Sequence, residues 1–204
     1  MADSSRCFHQ HDLKGQRFEQ TDLARSDFSC AVLSEVHLAS SDLSYSTLTG
    51  AQMDRSSLSE VCLFRVVGTA TNLSQAKIAQ SNLWGAHFDL SNFTQAAFQD
   101  IDFRRSHFHK CQFPDSEWSG VDCSQSLFRL SDFKGARLFY GIFLGTVWDQ
   151  VDFSRATLSD CDFSGCLFRG CKFAGATFEN CRLDSADFLR GSIEEARIAE
   201  KAAN

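Results

Sequence analysis

From Phe8 to Ile198 nearly every fifth residue is large and apolar, and the register never slips. Of the 39 positions in this series, 37 are Phe, Leu, Ile, Met or Trp, and 18 of the chain's 20 Phe residues fall on it. The exceptions are Gly68 and Cys123. Two residues before each centre, 35 of the 39 positions carry Ala, Ser, Thr, Gly, Cys or Val. A five-residue period fits neither regular element. On a helix, successive centres would turn by roughly 140° and smear around the axis. On a flat strand, side-chain alternation would send successive centres to opposite faces. All centres are buried together only if the backbone turns a corner in every repeat and the coils stack, which predicts a β-solenoid.

Segments such as Ala86-His87-Phe88-Asp89-Leu90, Ser131-Asp132-Phe133-Lys134-Gly135 and Ala176-Thr177-Phe178-Glu179-Asn180 resemble the pentapeptide-repeat family. The resemblance implies an all-β, right-handed quadrilateral β-helix with 20 residues per coil, and it covers nearly the whole chain. The expectation is one domain over 1–204, with repeats from about 6 to 198 and a short cap from about 192 to 204. At ~4.8 Å per coil the rod is roughly 45 Å long.

A 20-residue coil stacks Phe8, Phe28, Leu48, Gly68, Phe88 and Phe108 in one core column, with Gly68 as its gap. Gly inside a strand marks irregular backbone, so the expectation there is a bulge filled by a valine of Val66-Val67, or a kink. Centres from Leu33 to Leu83 include no Phe, whereas those from Phe88 to Phe188 are mostly Phe. At the C-terminus, Ser192-Ile193-Glu194-Glu195 has capping-box form and is followed by good helix formers, which predicts a short helix after about 192. The repeat register competes with it through Ile193 and Ile198.

The net charge of −6, from 20 basic and 26 acidic residues, argues against direct binding to nucleic acid or to an anionic membrane. No stretch approaches the roughly 20 apolar residues of a membrane span, and the first residues lack a signal peptide's basic and apolar regions, so a cytoplasmic location is expected. Nine cysteines, an odd number, then read as reduced thiols. Cys111, Cys161, Cys166, Cys171 and Cys181 occupy the small-residue slot and are expected to pack as small hydrophobes, not as zinc ligands. No cofactor is expected.

Two surface features stand out once every twentieth residue is aligned. Asp22, Asp42, Asp102, Asp122 and Asp162 fall in one outward column, interrupted by Cys62, Asn82 and Ile142. They either satisfy corner amides or form an acidic stripe offered to a DNA-binding protein, partly paired with Arg25, Arg65, Arg104 and Arg105. Phe139, Tyr140, Ile142, Leu144 and Val147 are apolar at positions the core does not use, and so are a candidate protein interface, with another protein or in a homodimer. His87, His107 and His109 fall close together but bring no catalytic motif, and no enzyme is expected. The resemblance extends to the gyrase-interacting, quinolone-resistance branch of the family, which implies an acidic DNA mimic that binds DNA gyrase or topoisomerase. The unbroken register departs from that branch by leaving no room for its projecting loops. The alternative is a protein-interaction scaffold with no topoisomerase role.

Overall fold

A computed structural model describes residues 6–191 and 193–199 of the chain. The backbone winds as a four-sided solenoid in which every ladder is parallel and every pairing joins residue i to residue i+20, as in Arg17↔His37, Phe128↔Trp148 and Phe178↔Ile198. Among the described residues, three-residue strands line two opposite sides. They form a ten-stranded sheet from Arg17–Glu19 to Arg197–Ala199 and a seven-stranded sheet from Val67–Thr69 to Asp187–Leu189. The other two sides are joined by single bridges, for example Asp22↔Asp42 and Asp132↔Asp152.

Local chemistry explains why the chain turns every five residues. Each multiple of five from Gln10 to Arg190 has positive φ, and most of these corner residues are not glycine. On the bridge sides the amide three residues beyond a centre donates back to that centre's carbonyl, as Ala96 does to Phe93 and Ala136 to Phe133, both at 3.0 Å. A positive φ at the third position of such a turn is what a type II turn requires. Beside the ladders the amide of the residue after the corner donates to a serine of the next coil: Thr21 to Ser41 Oγ at 3.1 Å, Val61 to Ser81 Oγ at 3.0 Å and Thr71 to Ser91 Oγ at 3.1 Å.

The small-residue slot follows from the same geometry. Its side chain points inward against the neighbouring coil, so it must be short, and any polar atom on it must find a partner there. Thr71 Oγ1 donates to the Leu48 carbonyl at 2.8 Å, Ser106 Oγ to Leu83 at 2.8 Å and Ser126 Oγ to Phe103 at 2.7 Å. Cysteine does the same: Cys111 reaches the Phe88 carbonyl at 3.4 Å and Cys166 that of Phe143 at 2.7 Å. Burial pushes the Cys111, Cys166 and Cys171 thiols up to about 12. The centres fill the axis, with Phe93, Phe103, Phe128, Phe133, Phe153 and Trp148 each at most 1% exposed.

Two expectations are corrected. Gly68 lies in a regular strand, Val67–Thr69, paired in register with His87–Asp89, so there is neither bulge nor kink. Val67 faces outward, and the gap is filled from the next coil: a Cβ placed on Gly68 would lie 2.5 Å from Cε1 of the Phe88 ring. The C-terminal helix is also absent among the described residues. Ile193–Glu195 form one 3₁₀ turn, and Arg197–Ala199 continue the ten-stranded sheet. Amides of Arg197 and Asn180 close that last ladder on the Ala176 and Ala199 carbonyls at 2.8 and 2.9 Å. An open strand edge outweighs intrinsic helix propensity at this position. Ser192 and residues 200–204 of the expected cap lie outside the described residues.

Candidate functional surfaces

The bridges place Asp22, Asp42, Cys62, Asn82, Asp102, Asp122, Ile142, Asp162 and Arg182 in one continuous column. Each aspartate turns an oxygen onto the amide two residues later: Asp22 to Ala24 at 3.1 Å, Asp42 to Ser44 at 2.7 Å, Asp122 to Ser124 at 2.9 Å and Asp162 to Ser164 at 2.9 Å. Asp102 accepts from the Arg104 amide at 3.0 Å and also from that residue's guanidinium at 2.9 and 2.7 Å. Arg104 lies 3.7 Å from Asp122, and Arg182 lies 3.5 Å from Asp162. Burial pushes the Asp102 carboxyl up, but the Arg104 side chain and amide outweigh it and hold the group below the ordinary carboxylate range. The same balance, struck by Ser164 and Arg182, lowers Asp162.

The apolar residues do not form one flat patch. Phe139 belongs to the ten-stranded sheet, Tyr140 is the corner, Ile142 and Leu144 lie on the adjoining bridge side, and Val147 is in the seven-stranded sheet on the opposite side of the rod. They wrap three sides of one coil. Tyr140 is 67% exposed, Ile142 43% and Leu144 42%, whereas Phe139 and Val147 are half-buried. Val147 is stacked between Leu127 and Leu167.

A third surface is less apparent in the sequence because it joins two columns. The Phe64 and Trp84 rings stack at 5.1 Å with 11° between their planes, and Tyr45 meets Phe64 edge-on at 5.3 Å. Arg65 lies over both Phe64 and Trp84, at 5.6 and 5.5 Å from the ring centres. Arg105 lies 5.7 Å from Trp84, and Arg25 lies 5.9 Å from Tyr45. These three arginines therefore turn onto aromatic faces, not toward the aspartate column as the sequence suggested; among the described residues only Arg104 pairs with Asp102 and Asp122. Beyond the same corner, His87 and His107 stack at 4.5 Å, with burial and then the charge of His87 lowering the His107 pKa. His109 is bound instead to Asp89 at 2.8 Å.

Among the described residues no three His, Cys, Asp or Glu side chains gather as a metal site, and no helix is long and apolar enough to cross a membrane. The nine cysteines are free, with Cys7 and Cys30 exposed and Cys111, Cys123, Cys161, Cys166 and Cys171 buried.

The chain belongs to the pentapeptide-repeat family, whose profile, described as pentapeptide repeats, matches residues 8–44, 31–67, 71–109, 131–170, 152–188 and 161–197. No curated protein sequence matches it. Similar solved structures include HetL, a pentapeptide repeat protein involved in heterocyst differentiation regulation in the cyanobacterium Nostoc sp. strain PCC 7120. The two are 19% identical over 95% of this chain and 91% of HetL, with a TM-score of 0.38. A trypsin-treated variant of QnrB1, a plasmid-mediated fluoroquinolone resistance protein, is 16% identical over 89% of each chain, with a TM-score of 0.49. A pentapeptide repeat protein of the Arabidopsis thaliana thylakoid lumen is 27% identical over 46% of this chain and 68% of its own, with a TM-score of 0.28.

Proposed function

We propose that this chain is a non-catalytic, protein-binding rod that docks through apolar side chains on the outside of its coils. The observation that carries this is the exposure of Tyr140, Ile142 and Leu144 in a fold whose core is complete without them. Outward apolar side chains gathered on one coil, beyond what the core needs, are a mark of interfaces. Burying it at ~25 cal/mol per Å² supplies several kcal/mol of gross association energy, much of it consumed by lost freedom on binding. Because the five residues wrap three sides, the partner surface is expected to be concave or to approach the Tyr140 corner. Tyr140→Asp with Leu144→Asp is expected to abolish self-association in sedimentation, or binding to a partner isolated with the wild-type rod. Unchanged behaviour of a folded double variant would sink the proposal.

The DNA-mimic reading, with DNA gyrase as partner, is supported by the direct bridging of Asp22 to Asp42 and Asp102 to Asp122 along one column. It is weakened because those carboxylates cap their own corners and because Arg104 and Arg182 pair with the column. A gyrase supercoiling assay separates the two readings. The scaffold reading expects no effect of micromolar protein, and dose-dependent inhibition or protection would favour the mimic.

A further inference from the structure

We infer that the edge carrying Arg25, Arg65 and Arg105 is a docking ladder for an extended acidic segment of a partner protein, with a carboxylate at every third residue. This rests on the reading of the rod as a protein-binding module, and it names the chemistry of one partner surface.

The first support is charge left uncompensated in an acidic protein. Arg55, Arg104, Arg129, Arg137 and Arg182 each pair with a carboxylate. The exposed Arg25, Arg65 and Arg105 form no ion pair among the described residues, as is also true of Arg6, Arg17, Arg155, Arg169, Arg190 and Arg197, and are set apart from these by the aromatic rings beside all three. Their guanidiniums lie over aromatic rings at 5.5–5.9 Å, which fixes their direction while leaving their N–H groups unclaimed by carboxylate. Arg105 gives one N–H to Gln125 at 3.1 Å.

Shape is the second support. Gly85 is the corner between Arg65 and Arg105, and a Cβ there would lie 3.3 Å from Cγ of Arg65. Its absence leaves a notch with Trp84 on one wall and the stacked His87 and His107 on the other. An anion entering it meets two guanidiniums, and the residue beside that anion meets an indole.

Spacing selects the ligand. The three arginines are 40 residues apart, two coils each, so they repeat at about 9.6 Å given ~4.8 Å per strand. A polyproline II segment returns to the same side every three residues, about 9.3 Å. A β-strand returns at about 6.8 or 13.6 Å and matches neither rung. An α-helix returns near 10.5 Å after seven residues and drifts by about 0.9 Å at each rung. Nucleic acid is disfavoured because the Phe64 and Trp84 rings are already closed on each other, leaving no slot for a base between them.

The test uses the full chain and a fluorescein-labelled peptide of four Glu-Pro-Pro units, read by anisotropy at low salt. Binding is expected, with quenching or shift of the emission of half-buried Trp84, since Trp118 and Trp148 are sealed in the core. Arg65→Gln with Arg105→Gln should weaken binding at least tenfold. Gln already stands in the same corner column at Gln125, so the double variant should stay folded, its thermal midpoint lowered by no more than the lost ring contacts account for. A peptide of the same composition with its four Glu adjacent should bind several-fold more weakly, and a Lys-Pro-Pro repeat should not bind. Overturning results are no binding at 100 µM peptide, equal binding by the folded double variant, or tighter binding of an acidic helix or of oligo-dT. If the peptide fails while the Tyr140 and Leu144 double variant still changes association, only the ladder assignment falls.

Discussion

The two halves of the rod solve the same packing problem with different side chains. From Leu33 to Leu83 the axis is filled by aliphatic centres; from Phe88 onward it is filled by rings that stack from coil to coil, such as Phe108 on Phe128 at 4.7 Å and Phe128 on Trp148 at 4.4 Å. Backbone geometry is the same in both, with corners at every fifth residue and pairing at i+20 throughout. The coil is therefore set by the corner and the small-residue slot, and the volume of the centre is accommodated around it. The junction shows how. Phe88, the first ring of its column above Leu48, leans back over Gly68, and its distance to Phe108 widens to 5.8 Å. A missing side chain in one coil is thus paired with a large one in the next.

The halves differ most in their thiols. Cys7 and Cys30 are exposed at the N-terminal end, whereas Cys111, Cys123, Cys161, Cys166 and Cys171 are buried in the Phe-centred half, where burial pushes up four of the thiols and the neighbouring Cys181, with burial, pushes up that of Cys161. Thiolate is the reactive form, so labelling at neutral pH should be fast at Cys7 and Cys30 and slower by orders of magnitude at the five core positions. Mass spectrometry of iodoacetamide-treated native protein checks this. Rapid labelling of Cys166 or Cys171 would mean that the Phe-centred core opens readily.

Core truncation should separate the halves in energy. Phe133 lies 4.5–5.6 Å from the rings of Phe113, Trp118, Phe128, Trp148 and Phe153, so Phe133→Ala is expected to cost about 3–5 kcal/mol. Leu58→Ala should cost about 2–5 kcal/mol, at the lower end because no ring pairs are lost with it. Urea denaturation of the two variants measures the difference. Equal losses would show that the ring stacks add nothing beyond buried area.

The junction itself is tested by Gly68→Leu. Filling the gap forces the Phe88 ring aside, and the expected loss is about 1–3 kcal/mol from overpacking. Adding Phe88→Leu should recover much of it, since two leucines then share the space. A double variant no more stable than Gly68→Leu alone would refute the account of Phe88 as the filler.

The core of this fold was legible because each inward position is dictated by the same five-residue step, and 37 of 39 centres obey it. What escaped was set by neighbours along the rod. The filling of Gly68 depends on the tilt of a ring 20 residues away, and the C-terminal strand on the open edge at Thr177–Glu179. Outward positions carry no such constraint. Arg25, Arg65 and Arg105 were visible as a column, but their choice of Tyr45, Phe64 and Trp84 over aspartate requires reading adjacent columns together.

Acid sensitivity gives the smallest expected difference between variants and the finest probe of the surface. Asp152 and Asp162 both lie in the Phe-centred half. Burial raises their carboxyls, but the serine two residues on and a nearby cation outweigh it, Lys134 for Asp152 and Arg182 for Asp162, and both groups end below the ordinary value of 3.8. A carboxyl whose folded pKa is depressed binds its proton more weakly when folded than when unfolded. Its stabilising contribution is therefore fully present above the unfolded pKa and is lost as pH falls through the folded one. Asparagine preserves the shape without the charge. Asp152→Asn with Asp162→Asn should accordingly lower the thermal midpoint by about 1–3 °C at pH 7, as for partly exposed pairs. That gap should narrow below about pH 4, where the unfolded carboxyl begins to take up protons, and close only once the folded groups are protonated too. A gap that stays constant down to pH 2 would mean that it does not arise from the carboxylate charges, and that the cations beside them contribute nothing to the stability of the Phe-centred half.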